Sequence, residues 1–332
     1  MSQSLETNQK RRVLVLTGGG IRGAVTASYL HKLEESIGRP LHEVFDLVAG
    51  TSTGSFLAAG IAAGKPMSEL AHLYDVGNAE AIFQRTTSSY IPILRSIVTK
   101  YAGDGKTEFL KKQFGEKTLK DCKTNLLIVA HSYTRRHPVF WNTFVRDHIN
   151  VKIRELTDAS SAAPTFFPRV PVYFESDDDD GVFDVDKDTS DFMSHGKAIP
   201  ESGDYYFDGG IDANDACTAA LALAKREFKC PIDNIEMLVV GTGYPIFVTE
   251  PRPSTPPRMF TVVDLYTVKG WDDFERGCNQ SNVFACRTFL QDRFGPLPPG
   301  VPDNMDKHDP EHIAALHELG KLWWVTSPYI IT

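Results

Sequence analysis

The chain has 332 residues, of which 42% are hydrophobic and 23% are charged, so it is long enough to bury one large α/β domain or two smaller ones. This composition excludes a chain that is disordered throughout. The formal net charge of -8 disfavours nucleic-acid polymers as partners and attraction to anionic lipid surfaces, so any membrane contact would depend on apolar side chains.

The N-terminal residues 1–12 are polar and form a predicted tail. The longest apolar runs, such as 56–63, are far shorter than the roughly 20 residues that span a bilayer. The five cysteines form no CxxC pair, and their odd number fits a reducing compartment. We therefore expect an unsecreted, cytoplasmic protein.

The first predicted strand is the continuous apolar run at 13–17, which is typical of a strand buried in a parallel sheet. A helix with apolar residues at helical spacing is predicted from about 25 to 37. Between them lie three successive glycines, which can turn backbone N–H groups toward an oxyanion. This run reads Gly18, Gly19, Gly20, Ile21, Arg22, Gly23.

The same run also matches the dinucleotide pattern GxGxxG. That function needs an acidic residue at the end of the next strand, to hold a ribose. The next predicted strand ends instead in Ala49, Gly50 and Thr51. We therefore favour the oxyanion interpretation over nucleotide binding.

Residues 44–59 read as a short apolar strand, a turn with a glycine at each end, and an alanine-rich helix. The turn has the GxSxG pattern of a nucleophile elbow, in which the serine projects at a helix N-terminus that favours negative charge. A Ser/Thr-rich turn without a catalytic role is equally compatible with this stretch alone. Its residues are Gly50, Thr51, Ser52, Thr53, Gly54.

The middle of the chain predicts alternating helices and strands. Residues 84–106 are either a lid or a loop packed on the core, and we favour the loop. A helix is predicted over 107–114, and strands over 126–130 and 138–144. A further helix over 151–163 runs into a stretch of small residues and two phenylalanines at 160–168, which either lines a pocket or packs in the core.

Eleven acidic residues fall between 175 and 204, against Lys187 and Lys197, which predicts an insertion or mobile loop. The triplet of aspartates at 184, 186 and 188 begins like a calcium loop. Thr189 stands where that loop needs glycine and His195 where it needs glutamate, so we expect no metal site.

The next strand is aromatic and ends at Asp208, which is followed by Gly209 and Gly210. Asp208 is the candidate base for Ser52. A helix over 217–228 and a buried strand over 235–240 follow, and the segments 260–290 and 310–324 are also predicted to be helical.

An elbow serine needs a group that takes its proton and donors that hold the tetrahedral oxyanion. The glycine run, Ser52 and Asp208 offer these three functions. Each is predicted at the end of an apolar strand, where open parallel sheets place their ligand sites. Together they favour catalysis well above a structural role.

Four motifs carry a resemblance to a known family: GGGIRG at 18–23, GTSTG at 50–54, SSAAPTFFP at 160–168 and DGGIDAN at 208–214. In this order and spacing they resemble the patatin-like phospholipases, over roughly residues 12–245. The resemblance implies a three-layer α/β/α fold around a mostly parallel sheet. It also implies a Ser-Asp dyad of Ser52 and Asp208, with the oxyanion held by the backbone of the glycine run.

By this resemblance the chain is a lipid acyl hydrolase of phospholipase A or lysophospholipase type, needing neither cofactor nor metal. Its substrate would be a membrane lipid or another acyl lipid, reached by transient contact with a membrane surface. We divide the chain into the tail 1–12, the catalytic domain 12–245 with the acidic insertion 175–204, and a C-terminal helical extension 246–332 packed on it. A nucleotide activator and a homodimer stay open.

Several alternatives remain. An α/β-hydrolase triad would use His308, His312 or His317, but only two predicted strands precede Ser52, fewer than that fold requires. Acyl transfer to a carrier is disfavoured because Thr51 stands where such enzymes usually have histidine.

Some bacterial relatives are antiviral effectors that a cyclic nucleotide activates to degrade membranes. A nucleotide-binding module or a non-catalytic storage protein represents a different class of function.

Overall fold

The computed structural model describes residues 9–86, 99–173, 204–243, 290–293, 297–298, 301, 304–326 and 329. Within these residues, eight strands form one sheet. They are β1 (Arg11–Leu16), β2 (Leu47–Thr51), β3 (Asn125–Ser132), β4 (His137–Asn142), β5 (Val170–Val172), β6 (Asp204–Asp208), β7 (Ile235–Val240) and β8 (Leu290–Arg293). The pairing order is β5-β6-β3-β2-β1-β7-β8, and β4 also pairs with β3.

Helices cover both faces of this sheet. In the described part of the chain they are α1 (Gly23–Ile37), α2 (Thr53–Ala62), α3 (Met67–Leu70), α4 (Val76–Ile82), α5 (Asp104–Phe114), α6 (Ile153–Ser160), α7 (Gly210–Ala213), α8 (Cys217–Phe228) and α9 (Pro310–Thr326). Short 3-10 turns lie at Gly20–Arg22, Leu41–Glu43, Ala71–Tyr74, Leu119–Asp121, Arg146–His148 and Ile232–Asn234.

The central strands are parallel, because β1 pairs in parallel with β2 and β7, and β2 pairs in parallel with β3. Their alternate residues enter two separate cores. Val13 and Val15 pack in the core under α8, whereas Leu14 and Leu16 pack in the larger core that includes α1, α2, α5 and α6. The prediction of a three-layer α/β/α sandwich with a mostly parallel sheet is confirmed.

The strand that carries Asp208 runs in the direction opposite to β3, so it does not end at a parallel-strand edge as we expected. Residues 127–132 of β3 pair with β4 along one edge, which leaves the other edge to β2 and β6. On that edge Thr51 lies opposite Val129, and Asp208 lies opposite Ala130. The ends of β2 and β6 therefore meet head to head.

The C-terminal helix α9 packs on α1. Its Ile313 and Leu316 are buried, and Trp324 stacks edge-on against Tyr29 of α1 at 5.6 Å between ring centroids. Residues 260–289 of the predicted helix lie outside the described residues. The prediction that this helix extends to Leu290 is wrong, because Leu290 begins β8, which pairs in parallel with β7.

Other segments lie partly outside the structural description. These are 87–98 of the stretch interpreted as a lid or loop, and the acidic stretch apart from Asp204, which belongs to β6. The division into tail, catalytic domain and extension stays a prediction. None of the helices in the described residues combines the length and apolar character that a membrane-spanning segment requires.

Candidate active site

Ser52 lies between β2 and α2, at the apex of a strand-to-helix turn. Its backbone has φ 54° and ψ -127°, a left-handed conformation that is uncommon for a residue other than glycine. Gly54 allows the turn to pack against β1, because a Cβ there would lie 2.2 Å from the carbonyl oxygen of Leu16. The sequence predicted as an elbow thus forms one, with its serine at the N-terminus of a buried helix.

The other elbow residues hold this turn in place. The Thr51 hydroxyl donates to the carbonyl of Ala213 at 2.8 Å, and the Thr53 hydroxyl shares a 2.8 Å hydrogen bond with the Tyr74 hydroxyl. A Cβ on Gly50 would lie 2.5 Å from the Gly54 carbonyl oxygen, so the two glycines of the motif pack against each other. The elbow is therefore fastened to α7 on one side and to the Tyr74 turn on the other.

The partner of the Ser52 hydroxyl is Asp208. Ser52 Oγ donates to Asp208 Oδ2 at 2.7 Å, and the N–H of Gly210 donates to Asp208 Oδ1 at 2.8 Å. This contact follows from the head-to-head arrangement of β2 and β6, because Ser52 follows the last residue of one strand and Asp208 ends the other. The structure thus joins the two residues that the sequence singled out, 156 positions apart.

Burial decides the protonation behaviour of Asp208. Desolvation raises the pKa of its carboxyl from 3.8 to about 6, against the opposing effects of the Ser52 hydrogen bond, the Gly210 N–H and the charge of Lys106. A carboxyl with this pKa is ionised at neutral pH and is still basic enough to accept a proton. The physical requirement for a general base is met.

Two of the predicted backbone donors of the glycine run already have acceptors. The N–H of Ile21 donates to the carbonyl of Met305 at 2.8 Å, and the N–H of Arg22 donates to the carbonyl of Gly19 at 3.2 Å. In this structure neither N–H is available to an oxyanion, so the predicted part of Ile21 and Arg22 in an oxyanion hole stays a prediction. The Ile21 N–H is occupied by its contact with the distant segment at Met305. The Arg22 N–H is occupied because Arg22 completes a 3-10 turn.

The backbone N–H groups of the four glycines in this run are of two kinds, those with a hydrogen-bond acceptor and those without one. The N–H of Gly18 donates to the carbonyl of Asn214 at 3.3 Å, and that of Gly23 to carbonyls of the preceding 3-10 turn. Within the described residues, the N–H groups of Gly19 and Gly20 have no hydrogen-bond acceptor, and both residues lie beside Ser52 at the same cavity. They are the donors that this structure leaves available for an oxyanion.

The Ser52–Asp208 pair opens into an apolar cavity of about 790 Å³, including its mouth. A concave, mostly apolar lining with a few polar groups is typical of small-molecule sites. Phe166 and Phe167 line it and are buried, so the phenylalanines of the SSAAPTFFP stretch both wall the pocket and pack in the core. Its other apolar walls are Ile21, Phe56, Leu73, Tyr74, Ala79, Ile82, Phe83, Ala163 and Met305.

Lys106 is a cavity residue that sequence reasoning missed. Its side chain is almost wholly buried, and its ammonium pairs with Asp158 Oδ1 at 3.0 Å and donates to the Asp158 carbonyl at 2.9 Å and to Ser161 Oγ at 3.1 Å. It also lies 4.6 Å above the ring centre of Phe167. A lysine within an amphipathic helix gives no sequence signal of burial, because the carboxylate that compensates it lies 52 positions away.

The segment 304–309 lies against the glycine run at one side of the cavity. Asp306 accepts hydrogen bonds from Lys100 and from the Tyr101 hydroxyl, the latter at 2.5 Å. His308 stacks on Phe83 with 5.5 Å between ring centroids. These contacts hold Met305 against the glycine run, where its carbonyl takes the Ile21 N–H.

The three histidines of the triad alternative have other partners. His317 Nδ1 lies 2.6 Å from Ser28 Oγ, and His308 Nδ1 lies 2.8 Å from the Asp306 carbonyl oxygen. His312 is buried within α9. None of the three hydrogen-bonds to Ser52 or Asp208 in the described part of the chain, which argues against a triad.

No group of three or more His, Cys, Asp or Glu side chains in the described residues could hold a metal ion. The calcium-like stretch at 184–188 lies outside those residues. The acidic residue that dinucleotide binding requires is also missing from the end of β2, which closes with Gly50 and Thr51.

Among proteins of known name, the chain is 35% identical over 161 residues to a "cGAMP-activated phospholipase" of Pseudomonas aeruginosa, covering 47% of this chain and 48% of that protein. It is 29% identical over 255 residues to a "cUMP-AMP-activated phospholipase" of Escherichia coli, covering 73% and 67%. It is 30% identical over 245 residues to "Patatin-like protein 2" of Oryza sativa subsp. indica, covering 68% and 55%. The chain thus spans about half to two thirds of the length of these relatives.

Among solved structures, VipD from Legionella pneumophila aligns with a TM-score of 0.45 and 11% identity, covering 98% of this chain and 70% of that one. The family model described as "Patatin-like phospholipase" matches residues 14–221, which include the glycine run, the elbow and Asp208. The chain therefore belongs to the patatin-like phospholipase family.

Proposed function

We propose that the protein is a lipid acyl hydrolase of phospholipase A or lysophospholipase type, with Ser52 as nucleophile and Asp208 as general base. The observation that carries this proposal is the 2.7 Å hydrogen bond from Ser52 Oγ to Asp208 Oδ2, two residues that line an apolar cavity. The hydroxyl is presented at a helix N-terminus, and its partner is a buried carboxylate that is ionised at neutral pH.

In the first half of the reaction, Ser52 Oγ attacks the carbonyl carbon of the acyl ester while its proton passes to Asp208 Oδ2. The carbonyl oxygen becomes an oxyanion that the N–H groups of Gly19 and Gly20 can hold. When the ester bond breaks, the leaving alcohol takes the proton from Asp208. The acyl group stays on Ser52 as an ester.

In the second half, a water molecule attacks the acyl-enzyme and gives its proton to Asp208. Ser52 then leaves, recovers that proton, and the fatty acid is released. The base serves twice, and no histidine is required because the carboxylate bonds the nucleophile directly.

The apolar cavity supports a fatty acyl chain as the group that is transferred. Its walls are phenylalanines and aliphatic side chains, which stabilise hydrocarbon by burial and offer few partners to a polar acyl group. A substrate with such a chain resides in a membrane, so we infer that the protein meets its substrate by peripheral contact with a bilayer.

The test is release of fatty acid from phospholipid vesicles, followed by lipidomic identification of the products. We expect the wild-type protein to release fatty acid and folded Ser52→Ala to fall by at least about 10³-fold. Ser68→Ala is the matched control, because Ser68 is an exposed serine on α3. Wild-type rates in Ser52→Ala would contradict Ser52 as the nucleophile, whereas a wild-type protein that releases no fatty acid would favour a non-catalytic storage or nucleotide-binding protein.

A second candidate is the same hydrolase held inactive until a cyclic nucleotide binds, as in an antiviral effector that degrades membranes. Two relatives carry names of phospholipases activated by cGAMP or cUMP-AMP. The hydrogen bond from the Ile21 N–H to the Met305 carbonyl also supports this candidate, because it restrains the glycine run in the protein without ligand.

This candidate is tested by adding each of those two cyclic nucleotides to the vesicle assay, and separately by Asp306→Ala. Removing Asp306 breaks its bonds to Lys100 and Tyr101 and should raise the activity without nucleotide several-fold. Glu311→Ala, an exposed change on α9, is the control. Activity that responds neither to nucleotide nor to Asp306→Ala would leave the unregulated hydrolase.

A further inference from the structure

The C-terminal turn of α6 contacts the backbone of both members of the proposed dyad. The N–H of Ser52 donates to Ser160 Oγ at 3.1 Å, and the N–H of Gly209 donates to the Ser160 carbonyl at 3.2 Å. Two residues further on, the Ala162 carbonyl accepts the N–H of Asp208 at 3.0 Å. A single turn therefore fixes the nucleophile and the base from the same side.

The Ser160 hydroxyl is the side chain in this turn that touches the elbow. It is fully buried, accepts the Ser52 N–H and donates its own proton to the carbonyl of Val129 at 2.6 Å. Since β2 ends at Thr51, the Ser52 N–H has left the strand ladder and needs another acceptor. The hydroxyl supplies that acceptor and ties it to β3, the strand with which both β2 and β6 pair.

The bond acts on a strained position. Ser52 has a positive φ, and such a conformation persists only where its surroundings hold it. Loss of the Ser160 hydroxyl would leave the Ser52 N–H without its acceptor and remove one of the contacts that resist relaxation of the turn. The Ser52 Oγ would then move relative to Asp208, whose backbone remains held by Ala162.

Lys106 also hydrogen-bonds to this turn of α6. The ammonium of this lysine bonds the Asp158 carbonyl, two residues before Ser160, and the hydroxyl of Ser161, the next residue. A cation at a helix C-terminus stabilises the terminal carbonyls. Lys106 thus bonds the turn on both sides of Ser160 and opposes its displacement from the elbow.

We propose that Ser160 is a positioning residue for the reaction, setting the distance and direction between the Ser52 hydroxyl and the Asp208 carboxylate. It touches no substrate and transfers no proton. The proposal rests on the proposed hydrolase function and adds to it the residue that keeps the dyad aligned.

The test uses a soluble ester, p-nitrophenyl butyrate, so that membrane binding does not enter the measurement. Ser160→Ala should lower kcat by about 10- to 100-fold and leave KM within about twofold, because the cavity is unchanged while the reacting atoms are misplaced. The rate of covalent labelling of Ser52 by a fluorophosphonate should fall in parallel. Ser160→Cys, a nearly isosteric change with weaker hydrogen bonds, should lie between Ala and wild type.

Thr157→Val is the matched control. Thr157 is fully buried one turn earlier in α6, and among the residues that the structure describes its hydroxyl bonds only the Ile153 carbonyl of the same helix. This change removes a buried hydroxyl at nearly constant shape without touching the dyad. We expect kcat and KM within about twofold of wild type.

The outcomes separate this proposal from the proposed function. An inactive wild type, or an active Ser52→Ala, overturns both. An active wild type and an inactive Ser52→Ala, together with a wild-type kcat in folded Ser160→Ala, overturn only the positioning role. If Ser160→Ala does not fold, Ser160→Cys decides: a lowered kcat at unchanged KM supports the role, and a wild-type kcat overturns it.

Discussion

On one face of the sheet, α8 packs directly on Val13, Val15 and Met237, whereas on the other face the helices stand around the strand ends and enclose the cavity at Ser52. The core under α8 contains a cluster of buried apolar side chains. The cavity face instead contains a strained serine, a buried carboxylate and a buried lysine. The two faces are built from the same strands, since alternate residues of β1 enter each core.

This difference shows which face of the sheet contains the groups that lower the stability of the fold. Burying the Asp208 carboxyl raises its pKa, which means that the folded protein holds the ionised form at a disadvantage relative to water. The apolar side chains of the α8 core contribute by burial instead. A second buried carboxyl whose pKa desolvation raises, Asp215, lies at the start of α8, where it accepts the N–H of Cys217. We therefore expect changes on the cavity face to alter turnover, and changes on the α8 face to alter stability.

The largest expected effect is that of Asp208→Asn, which keeps the shape of the side chain and removes the base. We expect turnover to fall by about 10³-fold or more, because the amide cannot accept the Ser52 proton. The same variant should be more stable than wild type at pH 8, by on the order of 2–3 kcal/mol, since a neutral amide avoids the buried charge.

The pH dependence of this gain has a definite sign. The folded pKa of Asp208, about 6, lies above the ordinary value of 3.8, so wild type loses stability as pH rises between them. The advantage of Asp208→Asn should therefore be small at pH 4 and constant above about pH 7. Urea unfolding at several pH values measures it, and an Asn variant less stable than wild type at pH 8 would contradict the buried charge.

Gly19→Ala should lower kcat by about 10²- to 10³-fold, the effect of losing one oxyanion donor. A Cβ at Gly19 would lie 2.1 Å from Thr242 Oγ1, so the loop must shift and its N–H must move with it. Gly38→Ala is the control, because Gly38 also has a positive φ, but no atom of the described residues lies within 4 Å of a Cβ added there. Equal losses of kcat in both variants would show that the effect is only backbone strain.

The acid limb of kcat/KM for wild type should report the buried carboxyl, with an apparent pKa of about 6. Below it, activity should fall about tenfold for each pH unit as Asp208 becomes protonated and cannot take the Ser52 proton. The measurement is a pH profile with a soluble, uncharged ester. A limb near pH 4 would instead indicate a solvated carboxylate as the base.

The smallest expected effect on turnover is that of Met237→Ala, in the α8 core. Met237 is buried, so this change should lower the free energy of unfolding by about 2–5 kcal/mol while kcat of the folded protein stays within about twofold. Ile82→Ala is the counterpart on the cavity face and should raise KM for long-chain esters. Similar kinetic changes in the two variants would remove the distinction between the faces.

Local signals in the sequence were enough for much of the framework. Continuous apolar runs identified β1, β3 and β7, and the range 217–228 was predicted for α8 as the structure has it. The elbow and Asp208 were found because strand ends followed by glycines are visible in a single sequence. These features depend on neighbours along the chain.

The missed features depend on distant partners. The opposite direction of β6, the strand at Leu290 and the contact of Met305 with Ile21 each join segments far apart in sequence. The sequence marks Ser160 only as one of a run of small residues that permit close packing, because the contacts of its hydroxyl depend on where Ser52 and Val129 lie in space. Single-sequence patterns carry no information about such pairs.

The most direct test of the central claim is to trap the acyl-enzyme and locate it by mass spectrometry. A slowly turned-over fatty acyl ester is mixed with wild type, the reaction is quenched in acid, and the digested peptides are analysed. The account predicts one acyl group on Ser52 in wild type, and strongly slowed formation of that adduct in Asp208→Asn. Hydrolysis at the wild-type rate with no acyl group on Ser52, or with the acyl group on another residue, would contradict it.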